Sequence, residues 1–431
     1  MSPIARTTRQ EMMDNWQVLV VAFLLVFFSF GVPNFSLPFM YKPAMDEFGW
    51  SNTQVNLLST AKFLIGAVAA LGMGIMVDKI GGKTAVLLGA IAGGVAMGLF
   101  LFATVLPIYY LAGAILGLSA SSIVAAMKVV VSRLFEINQG LAIGIVLSAT
   151  SMGQTLMPLV WGPLLEAGVN WRHIASGLSL GSLLISAPLW MFFMSRKGDT
   201  QDVINASTKQ EAGSTGMWEH FKVISKEKGI WLVIIGVFLV SAVDQAMTQN
   251  YVTYLRNDKG FNLNSVAWAS SYAGILAVIA KPSAGWIYDR FSIGGIKFFY
   301  FLLSLSVLLA LPVAGVFSLL IFLTVQGVAH GGLIVEIPVL TRHYLGPRNL
   351  GMTIGLVSVA VNLGFAAGPP ILGYFVDVFG TYKIGLIVYS VVALAGFLLL
   401  LPIQPRFWTP PSQRQKKAPE AAMPNFQPAR V

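Results

Sequence analysis

In AVIAKPSAGWIYDRF (277–291) a lysine closes a long apolar run, where hydrocarbon would leave its ammonium unsolvated. Lys281 is one of five ionised side chains inside such runs, with Lys62, Lys128, Asp244 and Glu336. Each costs roughly 2.5–3.5 kcal/mol at the middle of a bilayer, so five facing lipid would cost on the order of 10 kcal/mol or more. They must share water or one another. Three cations against two acids leave a net positive interior, the chemistry of a place that receives an anion. A buried carboxyl can exchange a proton, which makes Asp244 and Glu336 the proton-coupling candidates.

Local spacing sharpens these roles. Lys281 lies on a face of small residues (Gly274, Ala277, Ala284, Gly285), and Pro282 frees the carbonyl of Val278, leaving room for a cavity. Asp244 heads a polar stripe with Ser241, Thr248 and Tyr251 at helical spacings, which reads as pore lining. Glu336 and Lys128 are placed to pair with each other or with Lys281. Lys62 sits where it could reach headgroups. His330, in GVAHGG, is expected to bond a neighbouring backbone group rather than to relay protons. Asn34, Tyr41, Tyr251 and Asn362 complete the candidate substrate-binding set with Lys281 and Lys128. No spacing suggests a metal site, a nucleophile triad, a phosphate loop or a cofactor, and with no cysteine there is no thiol chemistry.

The elements that position these groups are membrane helices. The 431 residues are 56% hydrophobic and 11% charged, against about a quarter charged in soluble proteins. Apolar stretches long enough for a bilayer recur twelve times between residues 16 and 403. Alternating ten-residue segments of a β-barrel are absent. The net charge of +10 reflects topology rather than nucleic-acid binding. With the N-terminus inside, only Lys42, Arg172, Arg256, Lys259 and Lys383 of the 28 lysines and arginines fall on outer loops. The chain divides into a cytoplasmic segment 1–15, a six-helix bundle 16–194, a cytoplasmic linker 195–229, a second bundle 230–403 and a disordered cytoplasmic tail 404–431. Residues 1–15 are polar and the first apolar run is too long for a cleavable signal.

A shift of 211 residues superposes the halves. Gly49 falls on Gly260, Val55 on Val266 and Asp78 on Asp289, and NQGLAIGIVLSATSMGQTLMPLVWG (138–162) falls on NLGMTIGLVSVAVNLGFAAGPPILG (349–373). The halves are parallel repeats. The same shift places Lys62 on Ala273, Lys128 on Val339, Asp244 on Pro33, Lys281 on Ala70 and Glu336 on Ala125. Folding landmarks are shared and buried charges are private to one half.

GIMVDKIGGK (74–83) and its echo GWIYDRFSIGG (285–295) resemble the loop motif of the major facilitator superfamily, a resemblance covering residues 16–403. It implies an all-α integral membrane fold of twelve transmembrane helices in two pseudo-symmetric six-helix bundles. It also implies a gate made by Gly74, Asp78, Lys79 and Arg133 in the first half and Gly285, Asp289 and Arg290 in the second. AKPSAG (280–285) resembles the eighth-helix motif of the monocarboxylate porter branch, and FMYKPAMDEFGW (39–50) is similar to its bacterial members and to oxalate/formate antiporters. The branch usually has arginine at the position of Lys281 and aspartate at that of Ala277. Lysine offers a point charge without the bidentate fork.

Together these features point away from an enzyme and toward a secondary transporter of an organic anion, a monocarboxylate, working by alternating access with proton symport. Carboxylate exchange, export of an uncharged hydrophobic solute and a transporter-like sensor are the alternatives. The expected partners are a small organic anion, protons and the lipid bilayer, with no nucleic acid. The expected form is a functional monomer in the bacterial inner membrane with both termini cytoplasmic.

Overall fold

The computed structural model describes residues 8–80, 82–135, 139–196, 226–333, 335–346 and 350–408. Among these, all regular structure is helical. The first half runs through α1 (Thr8–Val26), a π turn (Phe27–Gly31), α2 (Val32–Phe48), α3 (Asn52–Ile80), α4 (Gly82–Leu99), α5 (Leu106–Leu134), α6 (Gln139–Glu166), α7 (Trp171–Gly181) and α8 (Ala187–Arg196). The second half runs through α9 (Lys228–Asn257), α10 (Leu263–Phe291), α11 (Ile293–Ala310), α12 (Val316–Gly332), α13 (Glu336–Leu340), α14 (Leu350–Phe379) and α15 (Tyr382–Leu400). Among the described residues nine spans are long and apolar enough to cross a membrane, or ten if the bent pair α12/α13 counts as one. Val86–Phe102 is apolar but shorter. With α3, whose second half carries side chains outside the described set, the rods match the twelve apolar runs of the sequence.

The repeat is visible in the helix bounds. α3 and α10 begin and end 211 residues apart, as do α4 and α11, and α6 and α14 begin 211 apart. Gly49 and Gly260 take the same left-handed conformation after α2 and α9, with φ of 66° and 69°, which only a residue without Cβ adopts cheaply. Departures from the repeat are local. In the second half one rod bends by 52° between α12 and α13, where Gly331–Gly332 gives way to an extended Leu333.

Acids at the helix ends also obey the repeat. Glu47 accepts from Trp171 Nε1 at 2.9 Å and Arg172 at 2.6 Å, at the start of α7. Its mate Asp258 accepts from Thr381 Oγ1 at 2.7 Å and Tyr382 N at 2.6 Å, at the start of α15. These two clasps act within a half. The second set crosses between halves. Asp377, at the end of α14, takes Asn52 N and Thr53 N at 2.8 Å each, Asn52 Nδ2 at 3.0 Å and Thr53 Oγ1 at 2.5 Å, capping α3. Its mate Glu166, ending α6, takes Asn264 N at 2.9 Å and caps α10. A carboxylate at a helix start meets unpaired N–H groups and the positive end of the dipole. The halves pack on each other through α6 with α10, α3 with α14 and α2 with α9.

Candidate functional site

Lys281 lies two thirds along α10 and is 1% exposed. Its ammonium donates to Thr150 Oγ1 and to Leu147 O at 3.4 Å, both on α6 in the other half. Backbones come close here because α10 offers Gly274. A Cβ at that position would stand 2.5 Å from Thr155 N of α6. Of the small residues around Lys281, Gly274 packs on the opposite half while Ala277 meets Gly331 of α12 in its own half, and the lysine bridges from α10 to α6.

Asp244 is fully buried on α9, and both its carboxylate oxygens lie 3.0 Å from His330 Nδ1 on α12. The expectation that His330 serves a backbone group is corrected: it is the partner of the acid in the polar stripe. Phe35 of α2 meets the imidazole edge-on at 6.1 Å. The other stripe members, Ser241, Thr248 and Tyr251, are buried as well.

Lys62, whose position in the sequence left it able to reach the headgroups, does not do so. It is 1% exposed on α3, with Nζ 2.7 Å from Asn34 Oδ1 and flanked by the rings of Phe30 and Phe63 at 5.1 and 5.0 Å. Asn34 is tied across the halves, its carbonyl accepting from Gln249 Nε2 at 3.3 Å. Gln249 Oε1 accepts from Tyr41 OH at 3.0 Å, and Tyr41 meets Ser59 Oγ at 3.1 Å. Beside this chain, Asn56 of α3 and Asn250 of α9 exchange amide bonds at 2.9 and 3.1 Å.

Other candidates fall differently. Glu336 is buried at the head of α13. Asn362 turns onto its own helix, donating to Ser358 O at 2.8 Å, and is not joined to Lys281 by any described bond. Arg290 is exposed over Trp286 and Phe291 of its own helix. Gly285 lies in α10 one turn beyond Lys281. The remaining gate positions, Gly74, Asp78, Lys79, Arg133 and Asp289, lie on helices α3, α5 and α10, but their side chains, like that of Lys128, are outside the described set.

Gln249, Asn250, Asn56 and Thr150 were not singled out by sequence, and neither were the interhalf acids Glu166 and Asp377. The acids carried a signal in their 211-residue spacing. The amides carried a weaker one: α9 reads SAVDQAMTQNYVT, polar on more than one face. Ser151 Oγ and Gln154 Oε1 on α6 and Gln245 Nε2 on α9 are buried without a partner among the described residues. A polar solute or its water can take up that capacity.

The comparisons agree with this architecture. A mutant form of the nucleoside transporter NupG superposes with a TM-score of 0.74 at 14% identity, over 89% of this chain and 99% of that one. A bacterial homolog of the human lysosomal transporter Spinster, inward-facing and unoccupied, gives 0.70 at 15% identity, over 91% and 98%. In sequence, monocarboxylate transporter 12 of Xenopus laevis is 23% identical over 74% of this chain and 72% of its own length. Monocarboxylate transporter 13 of Bos taurus is 26% identical over 80% and 79%. These relatives are transporters, not enzymes. The Major Facilitator Superfamily description matches residues 19–314 and 293–429. Two helix sets in a common 211-residue register, clasped through α3/α14 and α6/α10, are thus the two halves of a multi-pass membrane transporter: the chain belongs to the major facilitator superfamily and resembles its monocarboxylate transporters.

Proposed function

We propose that this transporter carries an organic anion, a monocarboxylate, by alternating access with proton symport. The observation that supports it most directly is the buried ammonium of Lys281, which spans from one half to Thr150 and Leu147 on the other. An anion arriving there would meet a positive charge at the seam that must part for transport, so binding and movement share a contact. Lys128 is the second cation of this reading, with Asn34, Tyr41, Tyr251 and Asn362 as polar neighbours. A proton taken by Asp244 or Glu336 makes the interior more positive, so proton and anion bind cooperatively. The gate is assigned to Gly74, Asp78, Lys79 and Arg133 with Gly285, Asp289 and Arg290. The location is the bacterial inner membrane, both termini inside, as a monomer.

The Asp244–His330 contact also supports a second reading. If the pair stays ionised throughout the cycle, no proton moves and two carboxylates exchange. Uptake of labelled aliphatic, aromatic and dicarboxylic acids into proteoliposomes, with and without a pH difference, tests both. Symport requires accumulation driven by the proton gradient and lost in Lys281→Met. Flux indifferent to pH but dependent on a trans anion would select exchange, and flux intact in Lys281→Met would end the anion reading.

A further inference from the structure

Lys62 is the buried cation for which the mechanism above has no use. Its ammonium has three N–H donors, and among the described residues a single oxygen, Asn34 Oδ1 at 2.7 Å, meets them. No ion pair among those residues includes it. Phe30 and Phe63 lie 5.1 and 5.0 Å away, and Phe63 stands 5.0 Å from Phe365 of α14, so the aromatic wall continues into the other half. A buried cation without an opposite charge is costly, and ring faces compensate only in part. Nor does folding explain its retention, because the 211-residue mate is Ala273 on the equivalent helix.

The two private lysines therefore occupy twin helices at different depths. Lys62 lies ten residues into α3 and Lys281 eighteen into α10, a difference of about 12 Å at 1.5 Å per residue. Asn34 also links Lys62 to the interface between halves, through its carbonyl and Gln249.

We propose that Lys62 is a second anion anchor, nearer the clasped end than Lys281, and that its guest is a monocarboxylate with an apolar tail, aromatic in preference. The carboxylate supplies the charge that Lys62 lacks, and the tail lies against Phe30 and Phe63. A dicarboxylate would bring its second charge against the same rings. This rests on the organic-anion reading and narrows its substrate class.

The test is ligand-induced thermal stabilisation of the purified full chain with benzoate, acetate and succinate at equal ionic strength. Benzoate should stabilise more than acetate or succinate. Lys62→Met should weaken benzoate binding about tenfold or more, the loss expected for a charge-assisted contact, while the ligand-free Tm holds or rises because an uncompensated charge is gone. Lys62→Arg should retain most of the binding. A purely structural lysine would give the opposite pattern: lower ligand-free Tm in Lys62→Met with benzoate affinity unchanged. That result, or succinate preferred to benzoate, overturns the proposal. Loss of benzoate binding in Lys281→Met but not in Lys62→Met removes this anchor and leaves the Lys281 reading standing. No stabilisation of the unmodified protein by any of the three overturns both.

Discussion

His330 Nδ1 stands 3.0 Å from each carboxylate oxygen of Asp244, and neither side chain is more than 6% exposed. The two belong to different helices, so the pair ties α9 to α12. Removing one member of a buried pair strands the other, at about 3–5 kcal/mol. Asp244→Asn and His330→Gln should each lower stability on that order in detergent unfolding, and the double variant should cost less than their sum. Full additivity would mean the contact contributes nothing.

The same pair governs coupling under the symport reading. Asp244→Asn fixes a neutral group where a proton would bind. Uptake driven by an imposed pH difference should fall at least tenfold, while exchange of preloaded anion survives. Equal loss of both activities would assign Asp244 to folding or binding instead.

Thr150 holds Lys281 from the opposite half. Replacing it with valine keeps the shape and removes the hydroxyl, which should weaken anion affinity about tenfold or more, in line with one hydrogen bond to a charge. Initial uptake rates over a concentration series would show this as a raised half-saturation concentration.

Asp377 receives four bonds from the start of α3. Asp377→Asn should favour the state in which this end is open. The chain has no cysteine, so Ser270→Cys, buried one to two turns inside α10, would be the sole thiol. Its labelling by an impermeant reagent from that side should rise about tenfold in Asp377→Asn. Unchanged labelling would deny the clasp a gating role.

Gly274 lets α10 approach α6. Gly274→Leu should cost about 1–3 kcal/mol through overpacking and should impair uptake as severely as Thr150→Val or more. A fully stable, active Gly274→Leu would show that the seam is looser than drawn.

Much of the scaffold was legible because its determinants are local and duplicated. Gly49 and Gly260 each end a helix by their own conformation, and the bounds of α3 and α10 follow the same 211-residue shift as the residues themselves. The partner of Asp244 was not legible. His330 is 86 residues away on another helix, and a single histidine carries no periodicity that points to its neighbour. Lys62 was only partly legible for a related reason: its depth along α3 could be read, but not that Asn34 and Phe30 close over it. α9 hid most. Its stripe at Ser241, Asp244, Thr248 and Tyr251 suggested one wet face, yet Gln245, Gln249, Asn250 and Thr253 are buried too, because neighbours from both halves surround the helix.

The two interhalf clasps are unequal: Asp377 gathers four bonds at the α3 seam and Glu166 one at the α10 seam. Parting would then start at the weaker side and swing about the stronger, like a book held at its spine, rather than dilating evenly. The weaker seam is also the one across which α10 presents Lys281 to Thr150 of α6, so the side that would yield first is the side that carries the buried ammonium.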